Sequence, residues 1–181
     1  EDAADDGLDD FEEPLDRVFN AGKHLLTLIN DVLDLSKIEA GRVELFNETF
    51  ELKQILDDVI KTSLPLAQKN ENELIIDYKT EIDFVTADQT RVKQVVLNLI
   101  SNACKFTEKG KITVGVNKIL REGGDLISID VNDTGIGMSD EQMSRLFNSF
   151  VQADSSTTRK YGGTGLGLTI SKQLALSLIH I

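Results

Sequence analysis

The chain has 181 residues and a formal net charge of −12, which excludes a nucleic-acid partner because such a partner demands a basic face. Its 40% hydrophobic content suits a soluble globular domain, and no apolar run approaches the roughly 18 residues of a membrane span. The single cysteine excludes an internal disulfide and suits a reducing compartment. We therefore expect a cytoplasmic region, with membrane attachment only through parts outside this chain.

A long amphipathic helix is the first predicted element. Apolar residues recur at three- and four-residue steps from Glu13 to Ile38, with Pro14 near the start and Gly41 just past the end. Nine of the first 16 residues are acidic, which favours the positive N-terminus of a helix. An apolar stripe over about seven turns needs a partner, since a lone helix cannot bury it. The stripe predicts pairing into a helical bundle or a homodimer.

Strands and helices are mixed after Gly41, which predicts an α+β domain with a mixed sheet and helices on one face. Strands are predicted at 43–50 and 74–78, and a hairpin of two further strands has its turn at 122–125. Helices are predicted at 52–67, broken near Pro65, at 89–106, and after Gly167. A turn is predicted at 83–87.

Two asparagines and a lysine near the end of the 89–106 helix form the first candidate site. Asn98 and Asn102 are four residues apart, so their amides face the same way, and Lys105 lies one turn further on. The plain alternative is the polar face of an ordinary helix. The functional interpretation is a magnesium–phosphate site, because an amide oxygen suits hard Mg²⁺ and a lysine offers positive charge to phosphates.

Two glycine-containing clusters follow along the chain. Asp133, Gly135 and Gly137 come after a predicted buried strand. A buried carboxylate there could accept a hydrogen bond from the exocyclic amine of adenine and repel the oxygen of guanine, although a plain strand-ending turn is the alternative. The segment Gly162–Leu168 leads into an apolar helix, and the free N–H groups of such a loop can bind an anion. It has neither the ending of a P-loop nor the position of a dinucleotide fingerprint.

Together these clusters resemble the N box and the two glycine boxes of histidine kinase catalytic domains. Between them, Phe147–Phe150 resembles the F box and Ser155–Gly163 resembles the mobile ATP lid. The resemblance implies the Bergerat α/β sandwich shared with gyrase-type and chaperone ATPases. It also implies that Asp133, with Gly135 and Gly137, contacts adenine and that Asn102 holds Mg²⁺. The other implied ATP-binding residues are Asn98, Lys105, Phe106, Phe150, Arg159, Gly163, Thr164, Gly165, Leu166 and Gly167.

Position 98 separates two activities within this resemblance. The related ATPases carry a glutamate there to activate a water, whereas the amide of Asn98 is not basic and disfavours hydrolysis. The resemblance therefore implies a sensor histidine kinase that transfers the γ-phosphoryl group of Mg·ATP to a histidine, in two-component signalling or a phosphorelay. The alternatives are a Bergerat-type ATPase and a nucleotide-binding module without phosphotransfer.

Residues 1–41 resemble the second helix of the dimerisation hairpin in hybrid histidine kinases, on the segment Ala21–Gly41. The resemblance implies a homodimer and a receiver domain as partner. The phosphoacceptor of that family lies on the first hairpin helix in a His-Glu-x-x-Arg-Thr-Pro setting, which does not occur here, and we interpret His24 as a structural or solvated histidine. The acceptor is expected outside this chain, so the chain alone is expected to be inactive in autophosphorylation.

The ATP-binding domain is assigned to residues 42–175. Members of the resembled family continue with a glycine turn and two further strands, so the domain is expected to be incomplete at its end. Residues 176–181 read Leu-Ser-Leu-Ile-His-Ile. The DNA sequence CTGTCTCTTATACACATC, the end of a transposon sequencing adapter, encodes these six residues, and we interpret the segment as adapter-derived.

Overall fold

A computed structural model describes residues 9–42, 44–82, 84–122, 124–147 and 165–179. The chain divides into two units, Glu1–Arg42 and Val43–Ile181. Among the helices described, none combines the length and apolarity needed to cross a membrane. The functions assigned to residues 1–41, 42–175 and 176–181 stay predictions, and the last helix described includes residues 176–179.

The described part of the first unit contains the helix α1 (Asp9–Glu39), which confirms the predicted long helix and begins four residues earlier than predicted. Gly41 ends it with a φ of +63°. The N–H of Gly41 bonds to the carbonyl of Ile38 at 3.0 Å and that of Arg42 to the carbonyl of Lys37 at 2.9 Å. This pair of bonds is the Schellman arrangement, in which glycine supplies the left-handed residue. Large apolar side chains are exposed along α1, namely Leu15, Val18, Phe19, Leu25, Leu26, Ile29, Val32 and Leu33.

The second unit is the predicted α+β domain. A three-stranded mixed sheet has the order β2-β4-β5, with β2 parallel to β4 and β4 antiparallel to β5, and β1 pairs antiparallel with β3 in a separate two-stranded sheet. The strands are β1 (Glu48–Glu51), β2 (Glu73–Tyr78), β3 (Phe84–Ala87), β4 (Lys111–Ile119) and β5 (Leu126–Asp133). The helices are α2 (Leu52–Lys69), α3 (Gln89–Phe106), α4 (Asp140–Arg145) and α5 (Gly167–Ile179).

The core lies between one face of the larger sheet and the helices α2 and α3. Alternate residues of β4, Ile112, Val114 and Val116, are fully buried and pack with Val59 of α2 and Ile100 of α3 in one cluster. Because side chains alternate across a strand, the intervening residues form the opposite face of the sheet. That face carries polar residues of β4, and the described helices α2 and α3 pack on the other face, which confirms the prediction of helices on one face.

The predicted break near Pro65 is wrong, because α2 continues without interruption to Lys69. A proline inside a helix removes the N–H that would bond to the carbonyl four residues earlier, here that of Lys61. Both residues are exposed, so water can satisfy that carbonyl. Beyond the proline, Leu66 packs against the core and Ala67 is buried, and this burial holds the last turn in place.

The predictions at 43–50 and 83–87 are also corrected. The first strand begins only at Glu48, because the N–H of Phe46 donates to the carboxylate of Asp88 at 3.1 Å and not to a strand. The predicted turn contains β3, whose Val85 is opposite Phe50 of β1. Strands this short are stabilised by cross-strand contacts. Their partner is distant in the sequence, so local patterns do not reveal them.

Candidate nucleotide-binding site

Helix α3 carries the first cluster of predicted site residues, and its observed bounds, Gln89–Phe106, equal the predicted ones. Asp88 starts the helix as its N-cap, because its carboxylate accepts the N–H of Arg91 at 2.9 Å. Asp88 is 4% exposed, and its carboxylate also accepts the backbone N–H of Phe46. The beginning of the helix is thus fixed to the β1 region.

The other end of α3 is held by two asparagines that the sequence reasoning missed. Asn72 is buried, and its amide nitrogen donates to the carbonyl of Thr107 at 2.7 Å while its oxygen accepts the N–H of Gly110 at 3.0 Å. Asn70 donates to the carbonyl of Cys104 at 2.8 Å. The two asparagines are visible in the sequence as polar residues of the turn between α2 and β2. No sequence pattern indicates that they donate to carbonyls at the end of a helix more than thirty residues away.

The cluster containing Asp133 and Gly135 contacts this same end of α3. A side chain at Gly135 would bring its Cβ within 2.3 Å of the Phe106 carbonyl oxygen and 2.8 Å of the Thr107 hydroxyl. The N–H of Ile136 donates to that carbonyl at 3.2 Å. Glycine is therefore required by the close approach of two backbone segments.

Asp133 is exposed, and the prediction of a buried carboxylate is wrong. It lies at the carboxyl end of β5, where the strand leaves the sheet, so its side chain is not covered by the core. One carboxylate oxygen accepts the N–H of Gly135 at 2.9 Å and the hydroxyl of Thr107 at 3.4 Å. These two bonds orient the carboxylate beside Phe106, and a carboxylate has further lone pairs that can accept a hydrogen bond from a ligand.

A cavity of about 410 Å³ opens between the end of α3 and the loop after β5. Burial lowers the pKa of Lys105 from its ordinary value. The Lys105 ammonium lies 5.1 Å from the ring centroid of Phe106, so the cavity has an aromatic wall beside a cation. Its lining residues are Asn70, Lys105, Phe106, Thr107, Glu108, Thr134, Gly135 and Ile136.

The last glycine-rich cluster contacts α3 two turns earlier, at Asn98. The amide nitrogen of Asn98 donates to the hydroxyl of Ser171 on α5 at 2.7 Å. A Cβ at Gly167 would lie 2.5 Å from the Asn98 amide oxygen, so the amide occupies the space that a side chain would fill. The first turn of α5 is thus packed directly on a predicted site residue.

The remaining described site residues differ in what they offer to a ligand. Asn102 is half-buried on α3, one turn after Asn98. Leu166 is fully buried in the core. Gly165 and Gly137 have φ values of +70° and +65°, a backbone conformation that favours glycine.

Four predicted ligand residues, Phe150, Arg159, Gly163 and Thr164, lie outside the described residues, as does the side chain of His24. Phe147 of the predicted F box is described. Its carbonyl accepts the hydroxyl of Thr169 at 3.1 Å, and its ring lies 4.9 Å from the ammonium of Lys172. Both contacts connect the segment after α4 to α5.

The fold and the site define an ATP-binding domain of a known class. Residues 87–180, more than half of the chain, match the family described as Histidine kinase-, DNA gyrase B-, and HSP90-like ATPase, and the chain belongs to this family.

Its relatives narrow the class to the ATPase region of sensor histidine kinases. The hybrid signal transduction histidine kinase B of Dictyostelium discoideum is 44% identical over 85% of this chain, and the circadian input-output histidine kinase CikA of Synechococcus elongatus is 41% identical over 90%. The chain spans 8% and 21% of the lengths of these two proteins. The crystal structure of full-length ShkA in complex with AMPPNP superposes with a TM-score of 0.75 at 32% identity, covering 87% of this chain and 32% of that one.

Proposed function

We propose that this chain is the ATP-binding catalytic region of a sensor histidine kinase and transfers the γ-phosphoryl group of Mg·ATP to a histidine outside the chain. The observation that carries the proposal is the amide at position 98, packed between α3 and the first turn of α5. An amide has no basic lone pair with which to activate a water. The phosphoryl group is therefore retained for a nucleophile delivered from elsewhere.

The arrangement along α3 supports ATP as the substrate. Phe106 lies at the cavity, beside Asp133, and Asn98 contacts the first turn of α5. The two residues are eight positions apart on α3, or about 12 Å along a helix. In this proposal the adenine binds at the cavity, with Asp133 accepting its exocyclic amine, and the phosphates extend along α3 towards Gly165–Gly167. Lys105, which lines the cavity beside Phe106, contributes positive charge near the cavity end of this path. The relative ShkA was solved with AMPPNP, a nucleotide with a triphosphate chain.

The donor chemistry of the site fits magnesium. Mg²⁺ keeps several waters and is bound by one or two protein oxygens together with substrate phosphates. The amide oxygen of Asn102 lies on α3 between the two ends of the proposed ATP site and is such a donor. The bound ion would neutralise the charge of the phosphates. The protein residues would supply positioning and electrostatic stabilisation, which dominate catalysis of phosphoryl transfer.

We further propose that the complete protein is a homodimer and passes its phosphoryl group to a receiver domain. The exposed apolar side chains of α1 are the surface on which a second helix would pack. The relative from Dictyostelium discoideum is named a hybrid signal transduction histidine kinase, and this name supports a receiver domain as the partner. The second candidate function is an ATPase or a nucleotide-binding module without phosphotransfer. The carboxylate, amide and glycine residues of the proposed site would also permit these functions.

Radiolabelled ATP given to the full-length protein tests these candidates. Acid-labile phosphohistidine is the expected result and supports the kinase. Release of inorganic phosphate without a labelled protein would support the ATPase, and nucleotide binding with neither product would support the binding module. Either of the last two outcomes would overturn the proposed function.

A further inference from the structure

Ser171 is a buried polar residue that the motifs of the site do not include. It lies one turn after Gly167 on α5, is 6% exposed, and its hydroxyl accepts the amide nitrogen of Asn98 at 2.7 Å. We propose that Ser171 is a positioning residue that sets the orientation of the Asn98 amide towards the phosphates. The inference rests on the proposed function and deepens it.

The contacts around Asn98 restrict its amide from two sides. Asn98 Oδ1 and Nδ2 lie 2.5 Å and 3.1 Å from the position that a Cβ of Gly167 would occupy, so the amide lies against the backbone of α5. The nitrogen then reaches Ser171, which is on the same face of the helix one turn later. Together the two contacts hold the amide group of Asn98 in place against α5.

The distinction between the two ends matters because they have opposite chemistry. The amide oxygen accepts hydrogen bonds and suits a cation, whereas the nitrogen donates and suits a phosphate oxygen. With the nitrogen bonded to Ser171, the oxygen is the end left to face the metal ion that the phosphates bind. Without the hydroxyl of Ser171, the amide loses the hydrogen bond that holds its nitrogen and can rotate away from this position.

The first test is a double-mutant cycle in the full-length protein, with Ser171→Ala, Asn98→Ala and the double variant, measured as the KM and kcat of autophosphorylation and as Mg·ATP affinity. We expect Ser171→Ala to raise KM and weaken Mg·ATP affinity about fivefold, the equivalent of one ordinary hydrogen bond, with a smaller change in kcat. The double variant should equal Asn98→Ala, because Ser171 acts only through that amide. Effects that simply add would overturn the inference.

Two further variants separate positioning from a general loss of stability. Ser63→Ala is the matched control, since Ser63 is also 6% exposed and its hydroxyl bonds within its own helix α2 to the carbonyl of Val59 at 2.8 Å. It should lower thermal stability as much as Ser171→Ala does but leave Mg·ATP affinity unchanged. Ser171→Thr retains the hydroxyl and should restore at least half of the lost affinity. An affinity loss in Ser63→Ala equal to that in Ser171→Ala would overturn the inference.

Failure of the inference and failure of the proposed function give different results. If the full-length protein binds Mg·ATP but forms no phosphohistidine, the kinase function falls while the affinity cycle still measures the coupling of Ser171 to Asn98. If phosphohistidine forms and the cycle shows no coupling, only the positioning role falls. If the wild-type protein binds no Mg·ATP, both are overturned.

Discussion

The amide of Asn98 and the hydroxyl of Ser171 are 73 residues apart in the chain and joined by a 2.7 Å hydrogen bond. This bond fixes the middle of α3 to α5. Two turns later, the carbonyl of Phe106 accepts the N–H of Ile136 and fixes the end of the same helix to the loop after β5. A single helix therefore contacts both glycine-containing clusters, which is the geometric basis for the nucleotide site that we propose.

Replacing Gly135 with alanine should disrupt both the fold and the site. Its methyl group would lie 2.3 Å from the Phe106 carbonyl oxygen, a backbone atom that cannot move aside. We expect a loss of about 1–3 kcal/mol in the free energy of unfolding, typical of overpacking, together with loss of ATP binding. Denaturant unfolding and calorimetric ATP titration measure the two effects. Gly22→Ala is the control, because a Cβ at that position in α1 would meet no atom within 4 Å apart from its chain neighbours and the adjacent helix backbone, and alanine favours a helix. Equal losses in the two variants would contradict the explanation.

Replacing Asp133 with alanine should weaken ATP binding by roughly tenfold or more, the usual contribution of a hydrogen bond to a charged group. Asp133→Asn should also reduce the preference for adenine, since an asparagine amide can donate to the oxygen of guanine. Competition between ATP and GTP measures that preference. Asp130→Asn, on the same strand and exposed, should leave both quantities unchanged. Unaltered ATP affinity in Asp133→Ala would remove this residue from the site.

Asn102→Ala should abolish the dependence of ATP binding on magnesium. The amide oxygen is the proposed protein ligand of the ion, so its removal should lower affinity in the presence of Mg²⁺ and leave the affinity measured with a chelator unchanged. ATP titrations with and without a chelator give this comparison. Ser101→Ala, the exposed neighbour on α3, serves as control. A magnesium dependence that survives in Asn102→Ala would contradict the assignment.

Asn98→Glu should increase ATP hydrolysis without creating efficient transfer. A carboxylate at this position can act as a base, but the Ser171 hydroxyl, 2.7 Å from the present amide nitrogen, would donate to it and lower its basicity. We therefore expect about a tenfold rise in phosphate release, below the roughly 10²–10⁴-fold typical of a well-placed general base. A phosphate-release assay run beside phosphohistidine detection checks this. Unchanged hydrolysis with normal transfer would count against the proposed role of Asn98.

The stability of the domain should fall at high pH through Tyr78. Burial, with the adjacent Asp57 carboxylate, raises the pKa of Tyr78 from 10.0 to about 12, and its hydroxyl donates to Asp57 at 3.2 Å. The unfolded chain loses this proton near pH 10 and the folded one only near pH 12. The stabilisation is therefore complete below pH 10 and is lost as the pH rises to about 12. Urea unfolding at pH 9 and pH 11.5 should show a smaller loss in Tyr78→Phe than in the wild type, and an identical loss would refute the assignment.

Elements with a strong local pattern were predictable from the sequence. The bounds of α3 follow from its apolar periodicity and from an acidic N-cap, and the end of α1 follows from Gly41. The continuity of α2 through Pro65 was not predictable, because it depends on the burial of Leu66 and Ala67 against residues distant in the chain. For the same reason β3 was missed, since its pairing with β1 and not its own composition makes it a strand.

The sequence alone determined the chemistry of the candidate site: the order of its amide, carboxylate and glycine positions, and an amide where a catalytic base would stand. Only the tertiary structure decided how these groups are held, through Asn72 at the end of α3, Ser171 beside Asn98, and an exposed Asp133 where a buried one was expected. The physical reason is that a residue's chemistry belongs to its own side chain. Its orientation and burial depend on contacts with residues far away in the chain, which no local spacing specifies.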